Sequence, residues 1–234
     1  MGSFYFGFDR TFILVIIGML LSMAASGYVN YTYQKYSKVR NKKGYTGEDA
    51  ARFILNYSGI HNVGVQQISG DLTDNYNAQT KVLSLSQAVG PSSSVAALGV
   101  AAHECGHAVQ DQVNYTPLKL RASLVPVANI GSTVSIPLII LGVILGGSSL
   151  LINIGIFCFS LAFLFQVVTL PVEFNASRRA LAILKEGNIL DAEELPMARQ
   201  VLIAAALTYV AAAVATLLQL VRLIILFGGN RRDD

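Results

Sequence analysis

The sequence predicts a mainly α-helical membrane protein: about four transmembrane helices and a small α+β domain between the first and second. Three observations carry this prediction. Hydrophobic residues make up 53% of the 234 residues and charged residues 13%, where a soluble domain carries about a quarter charged residues. The missing charge is not thinned evenly but falls in four long apolar stretches, raising the mean hydropathy to +0.52, which is the signature of bilayer-spanning helices. The cations are uneven too, with 13 of the 17 Lys and Arg in the intervals 30–121 and 171–200. By the positive-inside rule both intervals lie on the cytoplasmic face, with four spans and both termini outside.

The first span is expected over 11–29, close to the roughly 20 residues that a hydrocarbon core needs. Ala24, Ala25 and Ser26 also fit a signal-peptide cleavage site, but Asp9 and Arg10 cancel before the apolar run. The basic cluster Lys35, Lys38, Arg40, Lys42 and Lys43 follows that run, which favours a retained anchor.

Residues 45–120 read as a small polar domain. Thr46 and Asp49 resemble a capping box opening a short helix at 48–57. Two strands are expected at 63–68 and 81–86, joined by the turn-rich 69–75. Ser92, Ser93 and Ser94 then precede an Ala-rich helix running to about Gln112.

Spans two and three are expected at 122–146 and 150–170, forming a hairpin through Gly146-Gly147-Ser148-Ser149. Gly142 and Gly146 make a G-x-x-x-G step suited to close helix approach. A polar interval follows at 171–200, and the last span covers 201–227, with Arg222 placed to snorkel. The two cysteines, Cys105 and Cys158, give no disulfide framework. Asn30, Asn114 and Asn175 each head an N-x-[ST] pattern, which on the cytoplasmic side is a chance match.

Chemistry concentrates in His103-Glu104-Cys105-Gly106-His107. On a helix, residues four apart share a face, so both imidazoles can reach one Zn²⁺. Glu104 then stands beside the open coordination position, where a general base takes a proton from activated water and returns it to the leaving amine. The chain has three histidines and the motif uses two of them. Gly106 leaves room for a close backbone or substrate approach. A catalytic zinc takes three protein ligands; His61 is the remaining histidine, and Glu173, in the second cytoplasmic interval, is the better candidate. Cys105 points off the histidine face and reads as a packed small side chain.

The segment from Ala96 through His103-Glu104-Cys105-Gly106-His107 to Gln110, followed by Pro171-Val172-Glu173-Phe174-Asn175-Ala176-Ser177-Arg178-Arg179-Ala180, resembles the YugP-type family of bacterial membrane zinc metallopeptidases. The resemblance covers the whole chain. It implies a zincin-like cytoplasmic domain binding one zinc ion, with Glu173 as third ligand in the manner of gluzincins. It also implies a site facing the cytoplasm, as in HtpX-like proteases. The chain departs from the family pattern at Asn175, where Asp is usual, and at Cys105, where a small apolar residue is usual. In gluzincins an Asp four residues after the ligand Glu often orients a zinc-bound His; that position here is Ser177. Asn175 and Ser177 are therefore the candidate supporting residues.

The function expected is a multi-pass zinc endopeptidase of the cell membrane that acts on protein or peptide substrates and not on nucleic acid. Peptidases of this kind commonly hold substrate along a sheet edge, and Val82, Leu83 and Ser84 are the candidate edge. Tyr76, Arg178 and Tyr209 are candidate oxyanion donors. One alternative is a site-2-type intramembrane protease, disfavoured because the apolar run around the motif is short for a span. The other is a zinc-binding scaffold impaired in catalysis, suggested by Asn175.

Overall fold

The computed structural model describes residues 9–228; the chain ends, expected outside the cytoplasm, lie beyond the described residues. Six helices and three strands follow one another in the order α1 (Phe12–Tyr36), α2 (Gly47–Tyr57), β1 (Gly64–Ile68), β2 (Asn75–Asn77), β3 (Val82–Ser86), α3 (Val95–Gln112), α4 (Thr116–Ile144), α5 (Ser149–Glu186) and α6 (Leu195–Phe227). Four of these, α1, α4, α5 and α6, are long and apolar enough to cross a membrane. Each runs several residues past the apolar limit read from sequence at the end that leads into a polar interval, because those limits mark where a bilayer would end, not where backbone hydrogen bonding stops. The largest difference is α5, which continues through Pro171 to Glu186, so the polar interval after the third span begins as helix.

The chain divides into two compact units. One comprises residues up to 25, then 120–170 and the chain from 208 onward. Its helices are brought together by small residues. A Cβ placed on Gly131 would lie 2.6 Å from the Cys158 carbonyl oxygen, and one on Gly155 would lie 2.8 Å from that of Ser135. These glycines and Gly142, where a Cβ would lie 3.1 Å from the Ile152 amide nitrogen, set the α4–α5 approach, so of the expected Gly142–Gly146 step Gly142 takes part and Gly146 does not. Gly142 packs against Ile152, whereas Gly146 and Gly147 take φ of +78° and +86° in the hairpin turn. Within the same unit Arg222 pairs with Asp9 at 3.2 Å.

The second unit comprises residues 26–119 and 171–207. The capping box is formed as read: the Asp49 amide donates to Thr46 Oγ1 at 3.1 Å and the Thr46 amide to Asp49 Oδ2 at 3.0 Å. Helix α2 presents Ala50, Ala51, Ile54 and Leu55 to a core shared with Leu83 and Leu85 of β3 and with Leu98, Ala101 and Cys105 of α3. Ala180 and Leu184 of α5 and Leu202 of α6 complete it. Buried Glu194, in the α5–α6 connection, accepts the Lys42 and Asp191 amides at 2.7 and 2.9 Å and so ties that connection to the chain following α1.

The sheet corrects one expectation. Its order is β1-β3-β2, with β1 parallel and β2 antiparallel to β3. Val82, Leu83 and Ser84 pair with β1 on one side and with Asn77, Tyr76 and Asn75 of β2 on the other. They are the middle of the sheet, and no substrate strand can add there. The missed element is β2, three residues long, which begins at Asn75, the last residue of the segment that reads as turn, and ends at Asn77.

Candidate metal centre

Helix α3 starts at Ser94, whose hydroxyl accepts the Ala97 amide at 3.1 Å. Two turns on, the i, i+4 spacing sets the His103 and His107 rings side by side, centroids 4.8 Å apart and nearly perpendicular at 83°. Their partner comes from α5. A Cβ built on Gly106 would lie 2.5 Å from the Ala176 carbonyl oxygen, so glycine is what lets the two helix backbones touch. The room that Gly106 provides is thus taken by α5. Residues 173 and 177 flank Ala176 on the face turned to α3, and both side chains meet the histidines.

Glu173 is 2% exposed, and its Oε2 lies 3.2 Å from His103 Nε2 and 3.6 Å from His107 Nε2. Ligands at about 2.0–2.1 Å around a tetrahedral ion are roughly 3.3–3.4 Å apart, so these spacings match a shared ion. Among the described residues this trio is the group of His, Cys, Asp and Glu side chains able to hold a metal, with ligand atoms within 4.8 Å of one another. Two imidazoles and one carboxylate are a donor set that suits zinc. His61 is exposed and outside the trio.

The second nitrogen of each ring is held separately. Ser177 Oγ lies 3.0 Å from His103 Nδ1, at the position where the resemblance leads one to look for an orienting group. His107 Nδ1 lies 3.0 Å from Oε1 of Gln110, a residue not singled out from sequence. Gln110 is fully buried, and its Nε2 donates to the Val172 carbonyl at 2.8 Å and to Asn175 Oδ1 at 3.0 Å. A carbonyl only accepts, so the Gln110 amide nitrogen must face Val172 and its oxygen must face His107. That oxygen takes the Nδ1 proton, leaving the His107 Nε2 lone pair aimed at the Glu173 side. Asn175 Oδ1 also accepts from Arg179 Nε at 2.8 Å. An amide three residues past the second histidine, in a helix otherwise rich in Ala and Val, is the sequence signal that could have revealed Gln110.

Glu104 is half-buried next to His103, and no hydrogen-bond partner for its carboxylate is found among the described residues. Burial pushes this carboxyl above its ordinary range, while the two imidazoles work against the shift. Cys105 faces away: its Sγ is buried against the Ala51 carbonyl, and burial raises the thiol, the opposite of an activated nucleophile.

Of the candidate oxyanion donors, Tyr76 gives its hydroxyl to Asp111 Oδ2 at 2.6 Å. Arg178 is exposed on α5, and Tyr209 belongs to the other unit. Among the described residues, no hydrogen bond or ion pair joins Tyr76 or Arg178 to the trio.

No solved structure matches the chain. A curated protein of Bacillus subtilis (strain 168), "Putative membrane protease YugP", is 45% identical over 222 residues, covering 94% of this chain and 98% of that protein. A family model described as "Putative neutral zinc metallopeptidase" matches residues 11–228, nearly the whole length. With the ligand-like trio of His103, His107 and Glu173 set on two touching helices, the chain belongs to that zinc metallopeptidase family.

Proposed function

We propose that this protein is a membrane-embedded zinc endopeptidase in which His103, His107 and Glu173 hold one zinc ion and Glu104 is the general base. The observation that carries the reading is the convergence of both Nε2 atoms on one Glu173 oxygen while both Nδ1 atoms are held by other groups. When bound, zinc supplies Lewis acidity at the scissile carbonyl and at the attacking water. The Glu104 carboxylate takes the proton released as water attacks and delivers it to the leaving amide nitrogen. Its raised affinity for a proton suits both halves of that task. Ser177 and Gln110 keep the rings oriented through the cycle.

Substrate is held as an added strand on the outer edge of β2. That strand is short and largely exposed, and Tyr76 within it is bonded to Asp111 of the zinc helix. The site faces the cytoplasm, the side on which the basic intervals 30–121 and 171–200 are expected. The impaired-scaffold reading loses its motive in Asn175: its Oδ1 accepts from Gln110 and Arg179, which a carboxylate oxygen would do equally.

The test is Glu104→Gln in full-length protein reconstituted in lipid, with zinc content and cleavage of an unfolded protein measured together. The expected result is unchanged zinc and cleavage reduced by about 10²–10⁴-fold, the range for losing a general base. Unreduced cleavage, or zinc bound without any wild-type cleavage, would overturn the proposal.

A further inference from the structure

A cavity of about 730 Å³ opens between the later part of α5 and the first turns of α6, beside the metal centre and within the same unit. Its walls sort by position along the helices. Lys185 and Arg199 stand towards the polar ends, Arg178 lies one to two turns further in, and Phe174 and Leu207 close the opposite end. Between them the floor is apolar, made chiefly by Leu181 and Leu202.

Arg178, Lys185 and Arg199 are exposed, and among the described residues none is paired with a carboxylate. No acidic side chain lines the cavity. Phe174 and Leu207 are exposed apolar residues, 43% and 42%, where α5 and α6 pass into their membrane-length apolar runs. Three unpaired cations set around an apolar floor that opens towards Phe174 and Leu207 complement a ligand that is anionic at its head and hydrocarbon behind it. A peptide carries no such fixed order of charge and grease, whereas every anionic phospholipid does.

We infer that this cavity is a binding site for an anionic phospholipid of the surrounding bilayer, its phosphate held by Arg178, Lys185 and Arg199 and its acyl chain laid along Leu181, Leu202 and Leu207. The bound lipid caps the face of α5 that carries Phe174 and Ser177, neighbours of the metal-centre side chains. The site depends on α5 and α6 entering a bilayer and not on the zinc chemistry, so it can fail without touching the proposed peptidase activity.

The experiment is native mass spectrometry of the full chain in detergent with equal amounts of phosphatidylglycerol and phosphatidylcholine. Wild type should retain phosphatidylglycerol preferentially. The triple variant Arg178→Gln, Lys185→Gln, Arg199→Gln should lose that retention by on the order of a hundredfold, given a contribution near fivefold per cation, with phosphatidylcholine unchanged. Arg178→Lys with Arg199→Lys should keep it. Equal retention by wild type and triple variant overturns the assignment. Because the triple variant could be damaged, wild type alone gives a second reading: its phosphatidylglycerol retention must fall as salt rises, and salt-independent retention also overturns it. An acidic peptide that displaces phosphatidylglycerol at lower concentration, in a cation-dependent way, would make this a substrate subsite and end the lipid assignment.

Discussion

At the scale of single residues, the metal centre depends on side chains that never touch the ion. Gln110 fixes the His107 proton on Nδ1 only because Val172 and Asn175 fix Gln110. Gln110→Leu fills the same space but removes the acceptor, so the ring loses its preferred tautomer and orientation. Zinc affinity should fall about 10–100-fold, the usual cost of losing such a partner, measured by competition with a chelator of known strength. Ser177→Ala should act in the same direction through His103. Asn175→Asp, by contrast, should leave zinc affinity within about threefold of wild type, because both donors to Oδ1 find a carboxylate oxygen in its place; a larger loss would mean that the Asn175 amide nitrogen has a role of its own. The two ligand histidines and Glu104 were readable because their spacing is the chemistry. Gln110 gave a weaker signal, since one amide in an apolar helix points to a buried partner without naming it until α5 is seen to supply its acceptors.

At the scale of elements, the α3–α5 contact turns on Gly106. Gly106→Ala would drive a methyl group to 2.5 Å from the Ala176 carbonyl oxygen; the helices must separate, at a cost of about 1–3 kcal/mol, and Glu173 moves away from both histidines. Gly99, two turns earlier on α3, makes the contrast: a Cβ there meets Ala198 at an ordinary 3.6 Å, and replacing a helical glycine by alanine gains up to about 1 kcal/mol. Thermal unfolding with zinc analysis should therefore show Gly106→Ala less stable and zinc-poor, and Gly99→Ala as stable as wild type or more so. The β2–α3 junction adds a pH dependence. Asp111 accepts from Tyr76 and pairs with Lys81. Burial raises its carboxyl but is outweighed by these partners, which hold it below the ordinary carboxylate value. A depressed carboxyl contributes stability above its unfolded value, near 3.9, that is lost as pH falls through the folded one. Wild type should exceed Asp111→Asn by about 1 kcal/mol at pH 6, allowing for the partly exposed Lys81, and the difference should shrink steadily as pH falls below the unfolded value and through the folded one. A difference that does not shrink with falling pH would mean that Asp111 acts through packing. The strand pattern of β3 was legible, but its place in the sheet was not. Leu83 and Leu85 alternate with Ser84 and Ser86 as an edge strand would, yet the serines are buried because Gln66 and Asp74 satisfy their hydroxyls.

At the scale of the whole molecule, hydrophobicity and charge made the four long helices legible, because burial in lipid leaves no choice of composition. The same signal misjudges where helices end: the polar turns of α5 beyond Leu170 carry Glu173 and Ser177, and composition alone reads them as an interval between spans. Orientation rests on charge alone, and it has a direct test. Cys105 is fully buried, so a Cys158→Ala background exposes no native thiol. Into it go single cysteines at Gln79, exposed in the sheet-bearing unit, and at Ser149, exposed at the start of α5. The excess of cations around the metal centre should hold that unit in the cytoplasm. A membrane-impermeant maleimide added to intact cells should then label Ser149→Cys within minutes and Gln79→Cys only after lysis. The reverse pattern would put the metal centre outside and, with it, the substrates it meets; it would also show that the termini and the α4–α5 turn, poor in Lys and Arg, had been overridden by some stronger determinant of insertion.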